Sequence, residues 1–568
     1  MTGLTGTGLV LQNNGGDNLS VSASGTFSFA TALTAGSTYA VTVSTQPSGQ
    51  TCTVSGGTGT ANANVTNVAV SCTAVAASTV TIGGTVTGLA GTGLVLQNNA
   101  GDSLSVSAAG NFTFATAINT GAAYAVTVTT QPAGPAQLCR VTAGTGTASA
   151  NVTSVAINCL TTGQFLYTAD YTGGKITGYS INPSTGLLTS TGPDLADGSH
   201  PAAVSLAPNG KFAFSASDMG LKIHAFTINP TTGTLTELTN SPFNNTFFTT
   251  GHPFPDIAVD AQSKHLYLAS QGDNLVAGFS IDPTTGSLTP MSTSFPAGSG
   301  AGAIPAFSPD GKSLYVMNQN PTAGTVVGDS VSGYSINATT GELTAIAAPW
   351  VTGGSNPTWI AFRPDGKFAY VSNSNNYAGA NGIGSISVFS VDSTGALAAV
   401  GTPVTTEKIP SDITIDSTGT HLYVPNRGSH SISVFSIDPQ LGTLTAVGAT
   451  ATAGVGPILL VIEPTGRFGY AASSYGNDVW GYTINSDGSL TPMAAPYLTG
   501  AAGSDPLFVN VDPSGQFAYT SNSMSGGIVG WTIDQNTGAL TALSGSPYAA
   551  TGAPYVVSIS PELPGIRD

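Results

Sequence analysis

Four residues of this sequence carry side chains that together could hydrolyse an ester. His200, His252 and Asp505 each stand directly before a proline, and Arg427 lies in a polar loop. A histidine can act as general base on water, an arginine can stabilise the oxyanion that forms, and a carboxylate can orient the base. Because the four lie far apart along the chain, they would form one site only in a fold that gathers distant loops.

The other histidines give catalysis little further support. His265 and His421 directly follow predicted turns at the opposite end of their strands, His224 lies inside a strand pattern, and His430 shares the loop of Arg427. The sequence has no GxSxG elbow, HExxH pair, phosphate-binding loop or EF-hand pattern, so it predicts no cofactor and no metal site. Each candidate catalytic residue therefore competes with an ordinary turn or surface role, and enzymatic activity stays open.

The elements that must position these residues are short strands separated by turns. Between residues 409 and 447 four segments alternate apolar and polar residues, and glycine, proline or aspartate follows each one. Alternation with period 2 is typical of antiparallel strands joined by hairpins. The predicted strands are Asp412–Asp416, His421–Pro425, Ser431–Ile437 and Thr443–Val447.

This four-stranded unit recurs along the chain, and its recurrence predicts the fold. The aromatic residue of its second strand returns at intervals of 47 to 55 residues, at Tyr167, Phe214, Tyr267, Tyr315, Tyr370, Tyr423, Tyr470 and Tyr519. A four-stranded unit repeated with this period is the signature of a β-propeller. The first copy has no first strand of its own, and the chain ends with Pro554–Pro561, which matches Pro201–Pro208. We therefore predict an all-β protein whose eight-bladed propeller is closed by the carboxyl-terminal strand.

A ring of small polar side chains is predicted at one mouth of the propeller, where the loops before the first strands and after the second strands gather. Three residues beyond each aromatic the chain carries Asp170, Ser217, Ser270, Asn318, Asn373, Asn426, Ser473 and Asn522. Such residues commonly cap their own turns at strand ends. Two roles therefore stay open, turn capping and contact with a ligand, and the predicted ligand contacts are Asp170, Asn318, Asn356, Asn373, Asn426 and Asn522.

The amino-terminal part contains a different repeat. The sequence GLTGTGLVLQNN returns 85 residues later as GLAGTGLVLQNN, and each copy has about seven short strand patterns. We predict two Ig-like or prealbumin-like β-sandwich repeats, at residues 1–76 and 77–161, before a propeller at 162–568. The second copy opens with Thr79–Val86, which the first copy lacks. We expect that the natural protein begins upstream of Met1; the alternative is an open edge that a neighbouring chain fills.

The four cysteines lie in these two repeats. Cys52 and Cys72 are 20 residues apart, as are Cys139 and Cys159. An even number with conserved spacing predicts one disulfide in each repeat. A zinc site has no support from a CxxC motif or a nearby histidine, and buried free thiols are the other alternative. Disulfides would place the protein in an oxidising compartment, secreted, periplasmic or on the cell surface.

The composition excludes several partners. Only 7% of residues are charged, and the net charge is −16, which argues against nucleic acids and anionic membranes as partners. No apolar run approaches the length of a spanning helix. No signal peptide precedes the sequence MTGLTG, and we attribute this absence to the same omission as the missing strand.

The repeated motifs resemble a known family. Units built as P-x-x-V-x-x-x-P-D/N-G-K-F-x-Y-V-x-N, followed by I-x-V/G-F/Y-S-I-D-P-x-T-G-x-L-T, look like the lactonase family of β-propellers. That family includes the 6-phosphogluconolactonases and has YVTN-type surface repeats as relatives. The turns that carry the resemblance are Pro208–Lys211, Pro309–Lys312 and Pro364–Lys367. This resemblance implies a propeller fold over about 163–561 and a lactone-hydrolysing activity. The family is usually seven-bladed, however, and only His200 and His252 match its histidine position. The chain also has few cations for a phosphate, which argues against a phosphorylated lactone as substrate.

Three functions remain from the sequence. The first is an exported propeller that binds a small molecule, glycan or protein at its mouth, with the sandwich repeats as a stalk. The second is a lactone hydrolase that uses His200 or His252 as general base. The third is a structural component of a cell surface or matrix.

Overall fold

The structure is a computed structural model of the 568-residue chain. It describes residues 1–75, 78–132, 137–161, 165–198, 200–217, 222–244, 246–249, 257–270, 272–298, 305–319, 329–347, 349–375, 382–500, 504–524, 526–550 and 552–560. Within these ranges all regular elements are β-strands, as the alternating sequence predicts.

The first amino-terminal repeat forms two sheets. Its strands are β1 (Leu9–Asn13), β2 (Asp17–Val21), β3 (Ser37–Thr45), β4 (Gln50–Ser55), β5 (Thr58–Ala61) and β6 (Ala69–Ala74). One sheet has the order β2-β1-β3-β5, and the other contains only β4 and β6. Leu9, Leu11 and Val70 are buried between them, since alternate residues of each strand face the same core.

The second repeat has a fuller second sheet. Its strands are β7 (Thr79–Val80), β8 (Ile82–Thr87), β9 (Leu94–Asn98), β10 (Asp102–Val106), β11 (Gly110–Thr113), β12 (Ile118–Asn119), β13 (Ala123–Thr130), β14 (Gln137–Thr142), β15 (Thr145–Thr147) and β16 (Val152–Thr161). The first sheet repeats the earlier order as β10-β9-β13-β15, whereas the second reads β11-β8-β16-β14, and β7 pairs with β12. Ile82 of β8 is completely buried in the core between the two sheets.

Both predicted disulfides are confirmed. Cys52 is bonded to Cys72, and Cys139 to Cys159. In each repeat the two cysteines stand opposite each other on neighbouring antiparallel strands, β4 with β6 and β14 with β16. Each bond therefore fastens two strands of the second sheet together.

Beyond residue 164 the described chain forms eight antiparallel sheets. The strands of the first four are β17 (Phe165–Asp170), β18 (Lys175–Ile181), β19 (Leu188–Ser190), β20 (Leu195–Ala196), β21 (Pro201–Leu206), β22 (Phe212–Ser217), β23 (Lys222–Ile228), β24 (Leu235–Glu237), β25 (Phe243–Asn244), β26 (Ile257–Val259), β27 (His265–Ser270), β28 (Leu275–Ile281), β29 (Leu288–Pro290), β30 (Phe295–Pro296), β31 (Ala306–Phe307), β32 (Ser313–Asn318), β33 (Ser330–Ile336), β34 (Leu343–Ala345) and β35 (Trp350–Val351).

The remaining sheets continue the pattern. Their strands are β36 (Pro357–Phe362), β37 (Phe368–Asn373), β38 (Ile383–Val391), β39 (Leu397–Ala399), β40 (Val404–Lys408), β41 (Thr414–Ile415), β42 (His421–Asn426), β43 (Ser431–Ile437), β44 (Leu444–Ala446), β45 (Ala451–Thr452), β46 (Pro457–Ile462), β47 (Phe468–Ser473), β48 (Asp478–Ile484), β49 (Leu490–Pro492), β50 (Tyr497–Leu498), β51 (Pro506–Val511), β52 (Phe517–Asn522), β53 (Ile528–Ile533) and β54 (Leu540–Ala542). One further strand, β55 (Pro554–Ser560), follows them in the chain.

Seven of the eight sheets take their four main strands from one unit in sequence order, for example β41-β42-β43-β44. In every sheet but the last, a short fifth strand such as β45 also pairs with the third strand. The first sheet differs, because its order is β19-β18-β17-β55. The carboxyl-terminal strand β55 runs antiparallel to β17, with Ser558 opposite Tyr167. The last strand of the described chain thus belongs to the sheet that begins at Phe165.

Apolar clusters join each sheet to the next. One packs Phe165 and Tyr167 of the first sheet against Val204 and Leu206 of the second, and similar clusters follow between each successive pair. An eighth cluster packs Tyr519 of the last sheet against Leu166 of the first. Burial on both faces explains why so few residues of this part of the chain are charged.

Candidate functional site

The residue directly before the first-strand proline has a left-handed backbone in five sheets. We call these the lead residues: His200 (φ 57°), Asn356 (φ 55°), Ile409 (φ 53°), Gly456 (φ 75°) and Asp505 (φ 48°). A residue before proline normally prefers an extended conformation, and a β-branched residue such as isoleucine rarely adopts positive φ. The recurrence of this costly conformation indicates that the loop geometry requires it.

The carbonyl groups of the lead residues explain that requirement. In four of the sheets this oxygen accepts a hydrogen bond from the backbone N–H just beyond the second strand. The pairs are Ser374 to Asn356 (3.0 Å), Arg427 to Ile409 (2.8 Å), Ser474 to Gly456 (3.1 Å) and Ser523 to Asp505 (3.1 Å). The left-handed turn thus ties the loop before the first strand to the loop after the second, at one edge of each sheet.

Loops of neighbouring sheets also contact each other along this edge. The Tyr171 ring of the first sheet packs on the His200 ring of the second at a centroid distance of 4.8 Å. The Gly456 N–H of the seventh sheet donates to His430 Nδ1 of the sixth at 3.1 Å. Between the seventh and eighth sheets, the Asp505 N–H donates to Asn477 Oδ1 at 3.3 Å. We call this band of loops the rim.

The predicted polar ring lies beneath the rim. Asp170, Asn318, Asn373, Asn426 and Asn522 are each at most 1% exposed. The Nδ2 group of Asn373 donates to Ser387 Oγ at 2.8 Å, and Asn318 and Asn426 donate in the same way to serines of their own third strands. These side chains therefore brace the second strand against the third.

The acceptor atoms of the ring have fewer contacts. The Oδ1 atoms of Asn318, Asn373, Asn426 and Asn522 are buried and accept no hydrogen bond from the described residues, and the same holds for Oδ2 of Asp170. The Oδ1 atom of Asp170 accepts from the N–H groups of Gly173 at 2.8 Å and Ala553 at 2.7 Å. Of the two predicted roles, Asp170 shows turn capping, whereas the asparagines connect strands, and contact with a ligand stays a prediction.

The predicted catalytic residues lie on separate sheets. Among the described residues, no hydrogen bond or ion pair joins His200, Arg427 and Asp505 to one another, and His252 lies outside the described residues. Asp505 accepts a hydrogen bond from Ser523 Oγ at 2.9 Å. The structure places all three on the rim, but each has its partners in an adjacent loop.

Arg427 has an aromatic partner that the sequence did not reveal. Its guanidinium lies over the Tyr475 ring, 5.0 Å from the centroid, and donates a hydrogen bond to the Tyr475 hydroxyl. The Tyr475 side chain is 62% exposed. Arg427 follows the second strand of the sixth sheet and Tyr475 that of the seventh, so only the register between neighbouring sheets could have identified the pair.

A buried ionisable cluster was also missed. His224 Nδ1 lies 2.8 Å from Glu237 Oε1 and 3.5 Å from Asp197 Oδ1. Asp197 is completely buried and accepts a hydrogen bond from Ser215. Burial raises the pKa of the Asp197 carboxyl to about 7, and neighbouring His224 opposes this shift. The four residues lie on three strands and a loop. Only the pairing of those strands brings them together, so the sequence carried no signal for the cluster.

The described residues show no group of three histidine, cysteine or acidic side chains placed to hold a metal ion. Within the same ranges, no helix is long and apolar enough to cross a membrane.

Repeated antiparallel sheets of four main strands, packed face to face in sequence order, define a β-propeller. The chain belongs to the lactonase family: the family model described as "Lactonase, 7-bladed beta-propeller" matches residues 122–248, 244–349, 322–410 and 448–559, more than half of the sequence. The match begins inside the second amino-terminal repeat. The family's seven blades contrast with the eight sheets of the described chain.

Several solved structures are similar to this chain. A putative 6-phosphogluconolactonase from Bacteroides uniformis has 22% identity and a TM-score of 0.45, and the alignment covers 59% of this chain and 96% of that one. The periplasmic gluconolactonase of Pseudomonas aeruginosa has 20% identity and a TM-score of 0.44, with 59% and 96% covered. Apo AztD from Citrobacter koseri has 11% identity and a TM-score of 0.45, with 70% and 97% covered. No curated protein matches the sequence.

Proposed function

We propose that this protein is an exported, eight-bladed propeller that binds a polar ligand at its rim and is carried on two Ig-like sandwich domains. The domains would be residues 1–76, 77–161 and 162–568. The eight apolar clusters between successive sheets support eight blades, since the last cluster returns from the eighth sheet to the first. The two disulfides support export to an oxidising compartment, the periplasm, the cell surface or the medium.

The observation that carries the binding proposal is a fixed backbone with variable side chains. All five lead residues share one conformation and four of them one hydrogen-bonding pattern, yet they are His, Asn, Ile, Gly and Asp. A conserved turn alone would favour glycine or asparagine at every position. Rigid loops that present different side chains along one edge are typical of a binding surface on a β scaffold.

The Arg427–Tyr475 pair suggests which functional groups the ligand has. A guanidinium that is held in place by a ring keeps donors for a carboxylate, and the exposed face of Tyr475 can pack on a sugar ring. The whole chain has only 12 lysines and arginines, so a doubly charged phosphate is disfavoured. The ligand class that fits is a sugar acid or a glycan with a carboxylate.

The binding proposal can be tested by calorimetric titration of the whole protein with sugar acids and acidic oligosaccharides. Arg427→Ala and Tyr475→Ala should each weaken binding at least tenfold, because each removes a side chain that would contact the ligand. Tyr475 is exposed and Arg427 half-buried in a loop, so neither change empties a core position. Leu441→Ala, at an equally exposed position in the turn between the third and fourth strands, is the matched control. Saturable binding that all three variants retain would contradict the proposal.

A second candidate, lactone hydrolysis, is favoured by membership of the lactonase family and by the placement of His200 on the rim. His200 would accept a proton from the attacking water, and Arg427 or a backbone N–H would stabilise the oxyanion. Turnover of several sugar lactones should then fall by at least 100-fold in His200→Ala. Turnover that is lost in Arg427→Ala but kept in His200→Ala would exclude this histidine as the base.

A further inference from the structure

The sixth sheet has a histidine at a turn position where three other sheets have glycine or asparagine. His430 lies four residues after the end of β42 and has a left-handed backbone, with φ at 56°. The same position is taken by Gly174 (φ 63°), Asn274 (φ 54°) and Asn477 (φ 60°) in the first, third and seventh sheets. Glycine and asparagine are the residues that adopt this conformation most readily. The turn alone therefore does not explain a histidine in the sixth sheet.

The side chain at this position also connects neighbouring sheets. His430 Nδ1 accepts the N–H of Gly456 at 3.1 Å, and Asn477 Oδ1 accepts the N–H of Asp505 at 3.3 Å. Gly456 and Asp505 are both lead residues, so histidine and asparagine supply an acceptor to the same place in the sheet that follows. The connection therefore requires one acceptor atom, and asparagine provides it.

The imidazole has a second nitrogen that this connection does not use. Because Nδ1 accepts a hydrogen bond from a backbone N–H, the proton of the neutral ring lies on Nε2. The backbone is fixed as well, since the His430 N–H donates to Asn426 at 2.9 Å and its carbonyl oxygen accepts from Ala453 at 3.0 Å. His430 is nevertheless exposed. It is thus an exposed side chain held in one orientation, with Nε2–H left as a donor.

This donor lies beside the Arg427–Tyr475 pair. Gly456, which donates to His430, also lies against the Tyr475 ring, because a Cβ atom at Gly456 would be 2.7 Å from Tyr475 Cδ2. The Tyr475 N–H donates to the Val455 carbonyl oxygen at 3.0 Å and keeps the two loops together. Arg427 and His430 belong to one loop of the sixth sheet. Three side chains from two sheets therefore form one surface around Gly456.

All three side chains of this surface offer hydrogen-bond donors. A guanidinium has no acceptor, and Nε2 of His430 is protonated. The Tyr475 oxygen already accepts from Arg427, so its own hydrogen remains to donate. A surface of donors favours a ligand edge made of acceptors, such as a carboxylate and the oxygen atom next to it. In the ring form of a uronic acid, the carboxyl group and the ring oxygen are attached to the same carbon atom.

We propose that His430 is a ligand-binding residue of the rim, which donates from Nε2 to an oxygen of a uronic acid whose carboxylate binds Arg427. The sugar ring packs on Tyr475. This inference rests on the function proposed above and adds a residue and a ligand class to it. The comparison with Asn477 separates the two nitrogens of His430, because Nδ1 serves the connection between sheets and Nε2 serves recognition.

The test compares His430→Asn with His430→Ala in the whole protein. Asparagine keeps an acceptor for Gly456 and suits the left-handed turn, so the midpoint of thermal unfolding should stay unchanged, whereas alanine removes the acceptor and should lower it. Titration calorimetry with methyl glucuronide should show binding about tenfold weaker in both variants, because each lacks the Nε2 donor. Methyl glucoside, which has the ring without the carboxylate, and open-chain gluconate should bind the unchanged protein more weakly than methyl glucuronide.

Nitrogen NMR gives a second measurement that does not depend on stability. The ring signals of His430 can be assigned by their loss in His430→Asn. They should show the proton on Nε2 in the free protein, and methyl glucuronide should shift the Nε2 signal. A proton on Nδ1 in the free protein would overturn the inference.

The failure of this inference and that of the proposed function give different results. Binding that weakens in Arg427→Ala but is unchanged in His430→Asn would exclude His430 as a ligand contact and leave the rim site in place. Binding of gluconate without binding of methyl glucuronide would overturn the assignment of a uronic acid. If no sugar acid binds, or if Arg427→Ala, Tyr475→Ala and His430→Asn all bind as the unchanged protein does, both proposals are wrong.

Discussion

The hydroxyl of Tyr519 donates a 2.7 Å hydrogen bond to the carbonyl oxygen of Gly186, a residue 333 positions earlier in the chain. Tyr519 lies on the second strand of the eighth sheet, and Gly186 in the turn between the third and fourth strands of the first. The same contact recurs between successive sheets, from Tyr167 to Gly233, Tyr267 to Gly341, Tyr315 to Gly395, Tyr370 to Gly442 and Tyr470 to Gly538. The hydrogen bond from Tyr519 to Gly186 is thus the same contact that joins successive sheets, here made between the eighth sheet and the first.

Tyr519→Phe should lower the free energy of unfolding by about 1–2 kcal/mol, because the buried Gly186 carbonyl loses its donor. The measurement is denaturant unfolding of the whole protein. Tyr423→Phe is a matched control, since the Tyr423 hydroxyl is buried but has no hydrogen-bond partner among the described residues. Equal losses in the two variants would show that the hydrogen bond itself contributes nothing.

The repeat of these tyrosines could be predicted from the sequence, but their acceptors could not. Alternation and turn residues identify a strand such as His421–Asn426 to within one residue, because they depend on local periodicity. The glycine acceptors look like ordinary turn residues until the neighbouring sheet is in place. The ring was predicted at the mouth from the position of the loops after the second strands. The burial of Asn373 could not be predicted in this way, because it depends on serines that the sequence places 12 and 14 residues later.

The lead residues show more clearly which features the local sequence cannot predict. The preference of a residue before proline is extended, so nothing local predicts a left-handed Ile409. Its conformation follows from the hydrogen bond between two loops, which is a tertiary contact. The Arg427–Tyr475 pair likewise depends on the register between sheets.

Gly442→Ala should destabilise the protein more than Gly448→Ala. Both glycines have positive φ, at 70° and 63°, so each substitution costs roughly 1 kcal/mol of backbone strain. A Cβ atom at Gly442 would in addition overlap the Phe368 ring, whereas nothing lies within 4 Å of one at Gly448. We expect a total loss of about 3 kcal/mol for Gly442→Ala, measured by thermal unfolding. Similar losses at both sites would mean that the sheets can move apart without cost.

The protein should lose stability through Asp197 as the pH rises from about 4 to 7. Burial raises the pKa of Asp197 to about 7 in the folded chain, above the ordinary value near 3.9 of an unfolded chain. The folded state therefore binds the proton more tightly in this window, and deprotonation on raising the pH favours unfolding, by up to about 1.4 kcal/mol per pH unit. His224, Glu237 and Ser215 face the carboxyl and remain in the variant.

Asp197→Asn should flatten this part of the stability profile, as measured by urea unfolding at several pH values. Asp282→Asn is the control, because Asp282 is fully exposed and the backbone N–H groups of Thr285 and Thr284 lower its pKa. A profile that keeps its full slope in Asp197→Asn would assign the pH dependence to other groups.

Replacing each of two lead residues by the other tests whether the left-handed turn alone determines which residue occupies these positions. Asparagine tolerates the left-handed conformation better than a β-branched residue, so Ile409→Asn should raise the free energy of unfolding by about 0.5–1 kcal/mol and Asn356→Ile should lower it by at least as much. Asn356 also loses the 2.8 Å hydrogen bond from its Nδ2 to Ser374 Oγ. Unfolding by denaturant measures both changes. A loss of stability in Ile409→Asn would show that the packing contacts of the half-buried isoleucine outweigh its backbone strain. A gain would show that isoleucine occupies this rim position for a reason other than the stability of the turn.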